Sequence, residues 1–316
     1  MKVASFFAGV GGIDIAFENA GFDVIWANEM DSNACKTYRE NFKSELVEGD
    51  IHKIESKDIP DFDVMIGGFP CQAFSVAGYR KGFDDHRGNL FFELERIFTE
   101  KKPQVVFLEN VKNLVGHDNG NTFRVILKHM QDAGYHVKYK VLNACEYGNL
   151  PQNRERIYIV GFLNRDAYKE FEFPDPVELK NKLSDYIDFK NKQDDRFYYT
   201  AEKYTFYPQL ERDMKSSDTL YQWRRIYVRE NKNNLCPTLT ANMGTGGHNV
   251  PLVLTQTGIR KLTPRECFSL MGYPKNYKLP KDMAQSHLYK QAGNSVAVPV
   301  ITRIAENIIK AIKLSK

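Results

Sequence analysis

The stretch VASFFAGVGGIDIAFEN, residues 3–19, decides the fold class of this chain. Its apolar start, Val3–Phe7, is typical of a buried strand, and Ile13–Asn19 has the spacing of a helix. The glycines between them allow a tight turn in which the backbone can approach a ligand closely. The stretch therefore predicts the first strand–turn–helix unit of an α/β domain, with a binding site at the turn.

The same alternation continues along the chain. Short apolar runs predict further strands, and apolar residues at helical spacing predict further helices. Strands that alternate with helices favour an α/β fold with a doubly wound, mostly parallel sheet. The strands are expected at Asp23–Ala27, Val64–Ile66, Val105–Leu108, Val137–Leu142 and Ile157–Gly161, and the helices at Ser32–Asn41, Leu90–Thr99, Thr122–Asp132, Thr263–Met271 and Val298–Ile312.

Two prolines within the segment FPDP, residues 173–176, mark a change in composition, and the chain that follows is polar, aromatic and irregular. Such a stretch is typical of a domain boundary. We therefore expect a larger α/β domain over residues 1–176, completed by residues 288–316. A smaller, irregular and mostly β domain is expected over residues 177–255, with a hinge and return segment over residues 256–287.

The composition is that of an ordinary globular protein, since 42% of the 316 residues are hydrophobic and 27% are charged. No apolar run approaches the ~20 residues needed to cross a bilayer, and the N-terminal stretch lacks the pattern of a signal peptide. A cytoplasmic location is therefore expected. The 5 cysteines include no C-x-x-C pair, so neither a disulfide framework nor a zinc site is indicated.

The net charge of +4 is only weak support for a polyanionic partner. The segment WRRIYVR, residues 223–229, is more informative because it combines cations with aromatic side chains, as surfaces that bind nucleic acids do. A solvated strand face would have the same pattern, so both interpretations stay open at this point.

The glycine turn only partly matches the dinucleotide pattern G-x-G-x-x-G. Gly9 and Gly11 fit, but the third position is occupied by Asp14. A carboxylate at the start of a helix would repel a pyrophosphate. A ligand with a cationic or zwitterionic head is therefore expected, and a simple tight turn is the alternative.

Two acids occupy strand ends that suit an adenosine. Glu29 lies 20 residues beyond Gly9, where an acid can bind two ribose hydroxyls. Asp50 closes the next unit and could accept a hydrogen bond from an adenine amino group, with Ile51 against the ring. Each acid alone would more often be a surface charge.

Cys71 lies in the segment GGFPCQ, residues 67–72, just after a predicted strand. Ligands of open sheets bind in the crevice at this edge. Pro70 restricts the backbone before the cysteine, and an exposed turn suits a reactive thiol better than a structural one. The sequence thus makes Cys71 a candidate nucleophile.

Glu109 follows the neighbouring predicted strand, where a partly desolvated carboxyl group could hold a proton near neutral pH. An acid that caps a turn is the alternative.

Arg154 and Arg156 are two apart on an extended segment, so they should point the same way and could bind a base carbonyl and a phosphate. Arg156 could equally be a structural partner of Glu109.

The ordered set of motifs resembles the C5-cytosine DNA methyltransferase family. The motifs are FAGVGG, EMD, GDI, GFPCQAFS, ENV, QNRER and GNSV, and they cover nearly the whole chain apart from about residues 177–255. PCQ and ENV are each common by chance, but seven motifs in the right order and spacing are not. The resemblance implies the fold of the S-adenosylmethionine-dependent methyltransferases, S-adenosylmethionine as cofactor, and transfer of a methyl group to carbon 5 of cytosine in double-stranded DNA.

The resemblance also implies roles for individual residues. Cys71 would form a transient bond to C6 of a cytosine that has been flipped out of the duplex. Glu109 would contact N3, and Arg154 and Arg156 would contact the base and the backbone. Met30 stands where a bulky aromatic residue often stacks on the adenine. The cofactor-binding residues would be Phe7, Ala8, Gly9, Gly11, Gly12, Glu29, Met30, Asp50, Ile51, Gly68, Pro70, Leu90, Asn294 and Val296.

The loop Phe74–Arg87 is long, polar and rich in glycine, which favours a lid that closes over a ligand. In the family this loop closes over the DNA, and Ser75, Ala77 and Arg87 are the expected contacts. The segment 177–255 would recognise the target sequence in the major groove, with residues 241–249 as a recognition loop. Its expected contact residues are Gln222, Arg224, Arg225, Arg229, Thr238 and Thr240.

The size of this recognition segment suggests a short palindromic target, as in bacterial restriction–modification enzymes. The resemblance thus implies the modification enzyme of a restriction–modification system, and we expect a monomer that acts separately from any cognate endonuclease. Gln222 could fill the space that the flipped cytosine leaves, although a surface glutamine is the simpler interpretation. An RNA (tRNA) methyltransferase of the same fold and a DNA-binding module without catalysis are the alternatives. A zinc cytosine deaminase is excluded, because its motifs H-x-E and P-C-x-x-C do not occur in the chain.

Overall fold

A seven-stranded sheet of order β3-β2-β1-β4-β5-β7-β6 forms the centre of the larger part of this computed structural model. The pairs β1–β2, β2–β3, β1–β4 and β4–β5 are parallel, and β7 is antiparallel to β5. This confirms the predicted α/β class with a mostly parallel sheet. The strands are β1 Lys2–Phe6, β2 Asp23–Glu29, β3 Glu45–Glu48, β4 Val64–Gly68, β5 Val105–Val111, β6 His136–Asn143 and β7 Glu155–Phe162.

The longer helices of this larger part bury an apolar stripe. In Leu90–Lys101, for example, the buried residues Phe91, Leu94, Ile97 and Phe98 recur at the spacing of one helix face. The helices are α1 Gly12–Asn19, α2 Ser32–Asn41, α3 Leu90–Lys101, α4 Asn121–Asp132, α5 Ala144–Tyr147, α6 Arg165–Glu170, α7 Tyr207–Asp213, α8 Pro264–Leu270, α9 Gln285–Asn294 and α10 Val298–Leu314.

A second, four-stranded sheet has the order β11-β10-β8-β9, and its neighbouring strands are antiparallel. A small apolar core that includes Leu210, Tyr221 and Ile259 packs with it. This confirms the expected smaller, mostly β part of the chain. The strands are β8 Tyr221–Trp223, β9 Val228–Glu230, β10 Leu252–Thr255 and β11 Gly258–Lys261.

The structure describes residues 1–69, 90–245 and 249–316. Their contacts divide the chain into two compact units. The boundaries expected from the sequence, at residues 176, 255 and 287, separate segments by their proposed roles, and these boundaries stay a prediction. The first unit comprises Met1–Leu142, Glu155–Asp175 and Val300–Lys316, and the second comprises Asn143–Arg154 and Pro176–Pro299.

The order of the sheet reverses at β1, which lies between β2 and β4. Ligands of open α/β sheets bind outside the carboxyl ends of the strands at such a switch point. The residues after β1, β2 and β4 are therefore the first place to look for a site. Over the described residues, no helix is both long and apolar enough to span a membrane.

Candidate active site

The turn after β1 has an unusual backbone. Phe7, Gly9 and Gly11 have φ angles of 53°, 57° and 76°, in the left-handed region. The N–H of Gly11 donates to the carbonyl of Ala8 at 2.8 Å, which closes the turn before α1 begins at Gly12. A Cβ atom at Gly11 would lie 2.1 Å from the ring of Phe42. Glycine is thus required at position 11 both by the backbone angle and by the packing.

Glu29, the last residue of β2, is brought to this turn. Its Oε2 accepts a hydrogen bond from the N–H of Gly9 at 2.8 Å. Its Oε1 accepts from the N–H groups of Met30 and Asp31 at 2.9 and 2.8 Å. Because each carboxylate oxygen can accept about two hydrogen bonds, Oε2 keeps an acceptor position that suits a hydroxyl group. The side chain of Met30 is 66% exposed beside it.

Asp50 precedes a short 3₁₀ helix, Ile51–Lys53. Its Oδ1 accepts from the N–H of His52 at 3.1 Å and lies 2.7 Å from Nδ1 of the same residue. These hydrogen bonds lower the pKa of Asp50 below its usual value. Ile51 is only 2% exposed and belongs to the apolar core, so its expected contact with an adenine ring would have to use a very small surface.

Gly68 ends β4 and pairs in register with Glu109 on β5. A Cβ atom at Gly68 would lie 3.3 Å from Oε2 of Glu109, so glycine allows the carboxyl group to lie against the end of β4. Glu109 was expected to follow the strand, but it lies within β5, which runs to Val111. The expectation failed because a polar pair, Glu109 and Asn110, was taken for the end of the strand.

Several predicted residues lie outside the described residues. These are Pro70 and Cys71 and the expected lid Phe74–Arg87. The predicted DNA contacts Ser75, Ala77 and Arg87 belong to that segment, and their roles stay predictions. The described chain resumes at Leu90, which begins α3 and is partly buried against the apolar core.

Glu109 and Arg156 form an ion pair. Glu109 is 8% exposed, and its Oε1 lies 3.1 Å from Nε of Arg156 on β7. Arg156 is paired in register with Val111, two residues from Glu109, so both side chains lie on one face of the sheet. The structure thus contains the contact that the sequence had left as one of two interpretations for Arg156.

Arg154 has a different environment. It is 2% exposed, its Nη1 donates to the carbonyl of Leu239 at 2.8 Å, and its Nη2 donates to the carbonyls of Gly293 and Ser295. The argument that Arg154 and Arg156 should point the same way does not hold, because β7 begins only at Glu155 and strand alternation does not extend to Arg154. A contact of Arg154 with the substrate stays a prediction.

The carboxyl group of Asp14 does not lie at the surface of the helix start. Asp14 is fully buried, and its two carboxyl oxygens accept from Ser5 Oγ at 3.0 Å and from the hydroxyl of Tyr38 at 2.7 Å. Burial raises the pKa of Asp14 to about 7, although these hydrogen bonds oppose the rise. The expectation that this carboxylate would repel a pyrophosphate was therefore wrong in its geometry.

Asn294 and Val296 belong to the second unit. Asn294 is the exposed last residue of α9, whereas Val296 is buried. Their expected contact with the cofactor stays a prediction. Among the residues that the structure describes, no three His, Cys, Asp or Glu side chains are arranged to hold a metal ion.

The β8–β9 hairpin brings together four predicted DNA contacts. Gln222 on β8 pairs in register with Arg229 on β9, and Arg224 Nη2 donates to Gln222 Oε1 at 3.1 Å. Arg225 at the tip has a φ angle of 66°. Ile226, 81% exposed at the same tip, was not singled out in the sequence, although it lies inside the WRRIYVR segment.

Thr238 and Thr240 are exposed on either side of the buried Leu239, so both point outward. The hydroxyl of Thr238 donates to the carbonyl of Asn153 at 2.6 Å, and Thr240 precedes the short helix Ala241–Gly244. Residues 246–248 of the expected recognition loop lie outside the described residues.

The chain matches the family model of the C-5 cytosine-specific DNA methylases over residues 1–310. It is 63% identical to the Type II methyltransferase M.Bsp6I of Bacillus sp. (strain RFL6), over 98% of this chain and 99% of that relative. It is 40% identical to the Type II methyltransferase M.HhaI of Haemophilus parahaemolyticus, over 98% of this chain and 94% of that relative.

Among solved structures, the S. pombe Dnmt2 methyltransferase has a TM-score of 0.75 to this chain, with 18% identity and 99% of each chain covered. That likeness supports the fold. The family match covers nearly the whole chain and confirms the resemblance seen in the motifs. The chain therefore belongs to the C-5 cytosine-specific DNA methylase family, and it is a DNA cytosine-5-methyltransferase that uses S-adenosylmethionine.

Proposed function

We propose that this protein methylates carbon 5 of cytosine within a short specific sequence of double-stranded DNA, as the modification enzyme of a restriction–modification system. One observation carries the proposal. Glu109, which forms an ion pair with Arg156 through Oε1, has its other oxygen against Gly68 at the end of β4, and Gly68 precedes Cys71 by three residues in the sequence. The names of the Type II relatives support the restriction–modification role.

We place the cofactor at the glycine turn and the end of β2. The residues there fit an adenosine, because the turn presents partly exposed backbone at Ala8 and Gly9, and Glu29 offers an acceptor for a ribose hydroxyl. At Asp50, His52 occupies one carboxylate oxygen, and an adenine amino group would use the other. S-adenosylmethionine, when bound, supplies a methyl group on a sulfonium centre.

The chemistry requires that the base leaves the duplex, because C6 of a stacked cytosine cannot be reached by a side chain. In the proposed reaction the Cys71 thiolate forms a bond to C6, and the electron pair of the C5–C6 double bond makes C5 nucleophilic. After C5 has been methylated, a base removes the C5 proton, and the electron pair expels the thiolate as the double bond forms again. Glu109 holds N3 of the ring through these steps, so that charge built up on the ring is stabilised.

Arg156 has a positioning part in this proposal. Its guanidinium lies 3.1 Å from one oxygen of Glu109 and is itself anchored, since its Nη1 donates to the carbonyl of Glu155 at 2.8 Å. The carboxyl group is therefore held from one side. The other oxygen, Oε2, lies toward Gly68 at the end of β4, which is the side on which we place the base.

The second unit is proposed to recognise the DNA. Arg224, Arg225 and Arg229 are exposed on one hairpin, where Gln222 pairs in register with Arg229, and arginines in such a position can contact guanine edges or phosphates. We propose that the enzyme acts as a monomer in the cytoplasm, separately from any cognate endonuclease.

Trapping of the covalent adduct tests the proposal. Purified protein is incubated with S-adenosylmethionine and duplex DNA in which 5-fluorocytosine replaces cytosine, since fluorine at C5 cannot leave as a proton does. We expect a complex of protein and DNA that survives denaturation for the wild type and not for Cys71→Ser. Wild-type protein that forms no such complex would contradict the mechanism.

A labelled methyl group distinguishes the substrates. Protein, labelled S-adenosylmethionine and either duplex DNA or transfer RNA are incubated separately, and label is expected in the DNA alone. Label in transfer RNA alone would favour the RNA methyltransferase, and label in neither, with DNA binding intact, would favour a module without catalysis.

A further inference from the structure

Next to the glycine turn lies a polar cluster of Ser5, Asp14, Tyr38 and the half-buried Ser44, none of which is assigned to the cofactor. Asp14 and Tyr38 are each fully buried. Tyr38 donates to one oxygen of Asp14 at 2.7 Å and lies 2.9 Å from Ser44 Oγ, and Ser5 donates to the other oxygen of Asp14 at 3.0 Å. A fully buried acid with hydrogen bonds to both oxygens is costly to place, and the proposed reaction makes no use of it.

The cluster joins three elements that enclose the turn. Ser5 is on β1, one residue before the strand ends, and Asp14 is in the first turn of α1. The glycine turn connects these two residues along the chain. The hydrogen bond between Ser5 and Asp14 joins the two residues directly, and Tyr38, on α2, joins Asp14 to a third element. The two ends of the turn are therefore fixed relative to each other by side chains and not only by the turn's own backbone.

The ring of Tyr38 reaches the turn by a second route. It stacks on Phe42, with ring centroids 4.3 Å apart and an angle of 26° between the planes. The Phe42 ring in turn covers Gly11, so closely that a Cβ atom there would lie 2.1 Å from it. One tyrosine thus supports the turn both through its hydroxyl group, on Asp14, and through its ring, by way of Phe42.

We propose that Tyr38, with Asp14, is a positioning residue for the cofactor, which holds the glycine turn in the conformation that binds S-adenosylmethionine. This inference rests on the proposed place of the cofactor at the turn. It separates two roles in the first unit: Glu29 lies on the ligand side of the turn and accepts from Gly9, whereas Tyr38 acts from behind without touching the ligand. Loss of its hydroxyl should therefore weaken binding and leave the methyl transfer step unchanged.

The test compares Tyr38→Phe with a matched control, Tyr135→Phe. Tyr135 is also buried, and its hydroxyl donates to the carbonyl of Pro103 at 2.9 Å in the same unit. Both variants lose one buried hydroxyl, and both should unfold at a lower temperature. Binding of S-adenosylhomocysteine is measured by calorimetry at a temperature at which all the proteins are folded.

We expect the dissociation constant of Tyr38→Phe to rise about fivefold, which corresponds to one hydrogen bond of about 1 kcal/mol. The control should stay within about 1.5-fold of the wild type. The rate of methyl transfer at saturating cofactor should change less than twofold for both. Asp14→Asn, which keeps the shape of the side chain and one acceptor, should weaken binding less than Tyr38→Phe.

Two outcomes would overturn the inference: wild-type affinity in Tyr38→Phe, or an equal loss of affinity in Tyr135→Phe, which would mean that general destabilisation is the cause. The proposed cofactor site fails in a different way. If Glu29→Gln binds S-adenosylhomocysteine as the wild type does, the ligand is not at this turn, whatever Tyr38 does.

Discussion

The sheet edge of the first unit and the β8–β9 hairpin of the second unit both present polar side chains, but in opposite ways. At the edge, Glu29 accepts three backbone N–H groups and Glu109 is 8% exposed beside Arg156. On the hairpin, the side chains of Arg225 and Arg229 are exposed. Polar groups that are held in place suit a reaction in which charge develops at a fixed atom of the substrate and must be stabilised there. Exposed cations suit a polyanion that attracts them over a distance.

The difference predicts how substitutions should divide. A change at the sheet edge should affect turnover or cofactor binding by a large factor and leave DNA affinity nearly intact. A change on the hairpin should do the reverse: it should weaken DNA binding and leave turnover and cofactor binding nearly intact. Each of the following substitutions tests one side of this division.

Glu109→Gln should have the largest effect. The amide keeps the shape of the side chain but cannot donate or take up the proton of the carboxyl group, and acid–base groups contribute about 10²–10⁴-fold to rates. We expect the single-turnover rate of methyl transfer to fall at least about 100-fold, with the dissociation constant for target DNA changed less than about threefold. Rapid-quench assays and gel-shift titrations measure the two quantities.

Glu155→Gln is the matched control for Glu109→Gln. Glu155 is near it in the sheet but is paired with Lys112 at the surface, with 43% of its side chain exposed. The Glu155→Gln variant should keep nearly the full single-turnover rate of methyl transfer. An equal loss of rate and DNA affinity in Glu109→Gln would remove the distinction between the two regions.

Asp14→Asn should change how stability depends on pH. Burial raises the pKa of Asp14 to about 7, from 3.8 in the unfolded chain. The folded state therefore holds a proton that the unfolded state loses, so this contribution to stability is complete below pH 3.8 and is lost as the pH rises to about 7. The full loss is on the order of 4 kcal/mol.

Asparagine does not titrate, so the stability of Asp14→Asn should fall less than that of the wild type between pH 4 and about 7. Urea unfolding at several pH values measures both proteins, and the difference between the two curves isolates Asp14 from the other titrating groups. Parallel curves would show that Asp14 does not carry the raised pKa.

The buried cluster also shows where prediction from the sequence ends. The strand–turn–helix pattern at residues 3–19 located β1, α1 and the turn, because local hydrophobic spacing and glycine decide them. The same residues gave no indication that Asp14 meets Tyr38, since that contact spans 24 positions and depends on how α2 packs. Contacts between distant elements have no local pattern.

Short or polar elements were missed for a related reason. The strand β3, ELVE at 45–48, has only two apolar residues, and α9 buries Gln291 and Gly293 together with its apolar residues. The antiparallel direction of β7 was missed as well, because hydrophobic spacing identifies a strand without giving its direction. The acids at the strand ends could be predicted, but the partners of Arg154 could not, because they are backbone carbonyls far along the chain.

Glu29→Gln should weaken the cofactor by a smaller factor. The carboxylate accepts from three N–H groups, and an amide would place its own N–H₂ against one of these donors. We expect the dissociation constant of S-adenosylhomocysteine to rise about tenfold, the effect of one good charged hydrogen bond. Glu48→Gln is the control, because Glu48 pairs in register with Glu29 on β3 but forms a surface ion pair with Arg39. DNA affinity measured in the absence of cofactor should be unchanged in both.

Arg225→Ala and Arg229→Ala should have the smallest effects on the reaction rate, and they test the hairpin side of the division. If an arginine contacts a phosphate, its loss weakens all DNA about equally and reduces the slope of log affinity against log salt by about 0.9. If it contacts a guanine edge, its loss costs about 1–3 kcal/mol on the target sequence alone and leaves the slope nearly unchanged. Arg212→Ala is the control, because Arg212 is an exposed arginine of the same unit that is paired with Asp213, and it should change neither the overall DNA affinity nor the salt dependence.

Fluorescence anisotropy with target and scrambled duplexes at several salt concentrations separates these cases. Since the exposed hairpin is proposed to bind and not to react, single-turnover rates at saturating DNA should stay within about twofold of the wild type in all three variants; a loss of rate as large as that of Glu109→Gln would place the hairpin in the catalytic machinery instead.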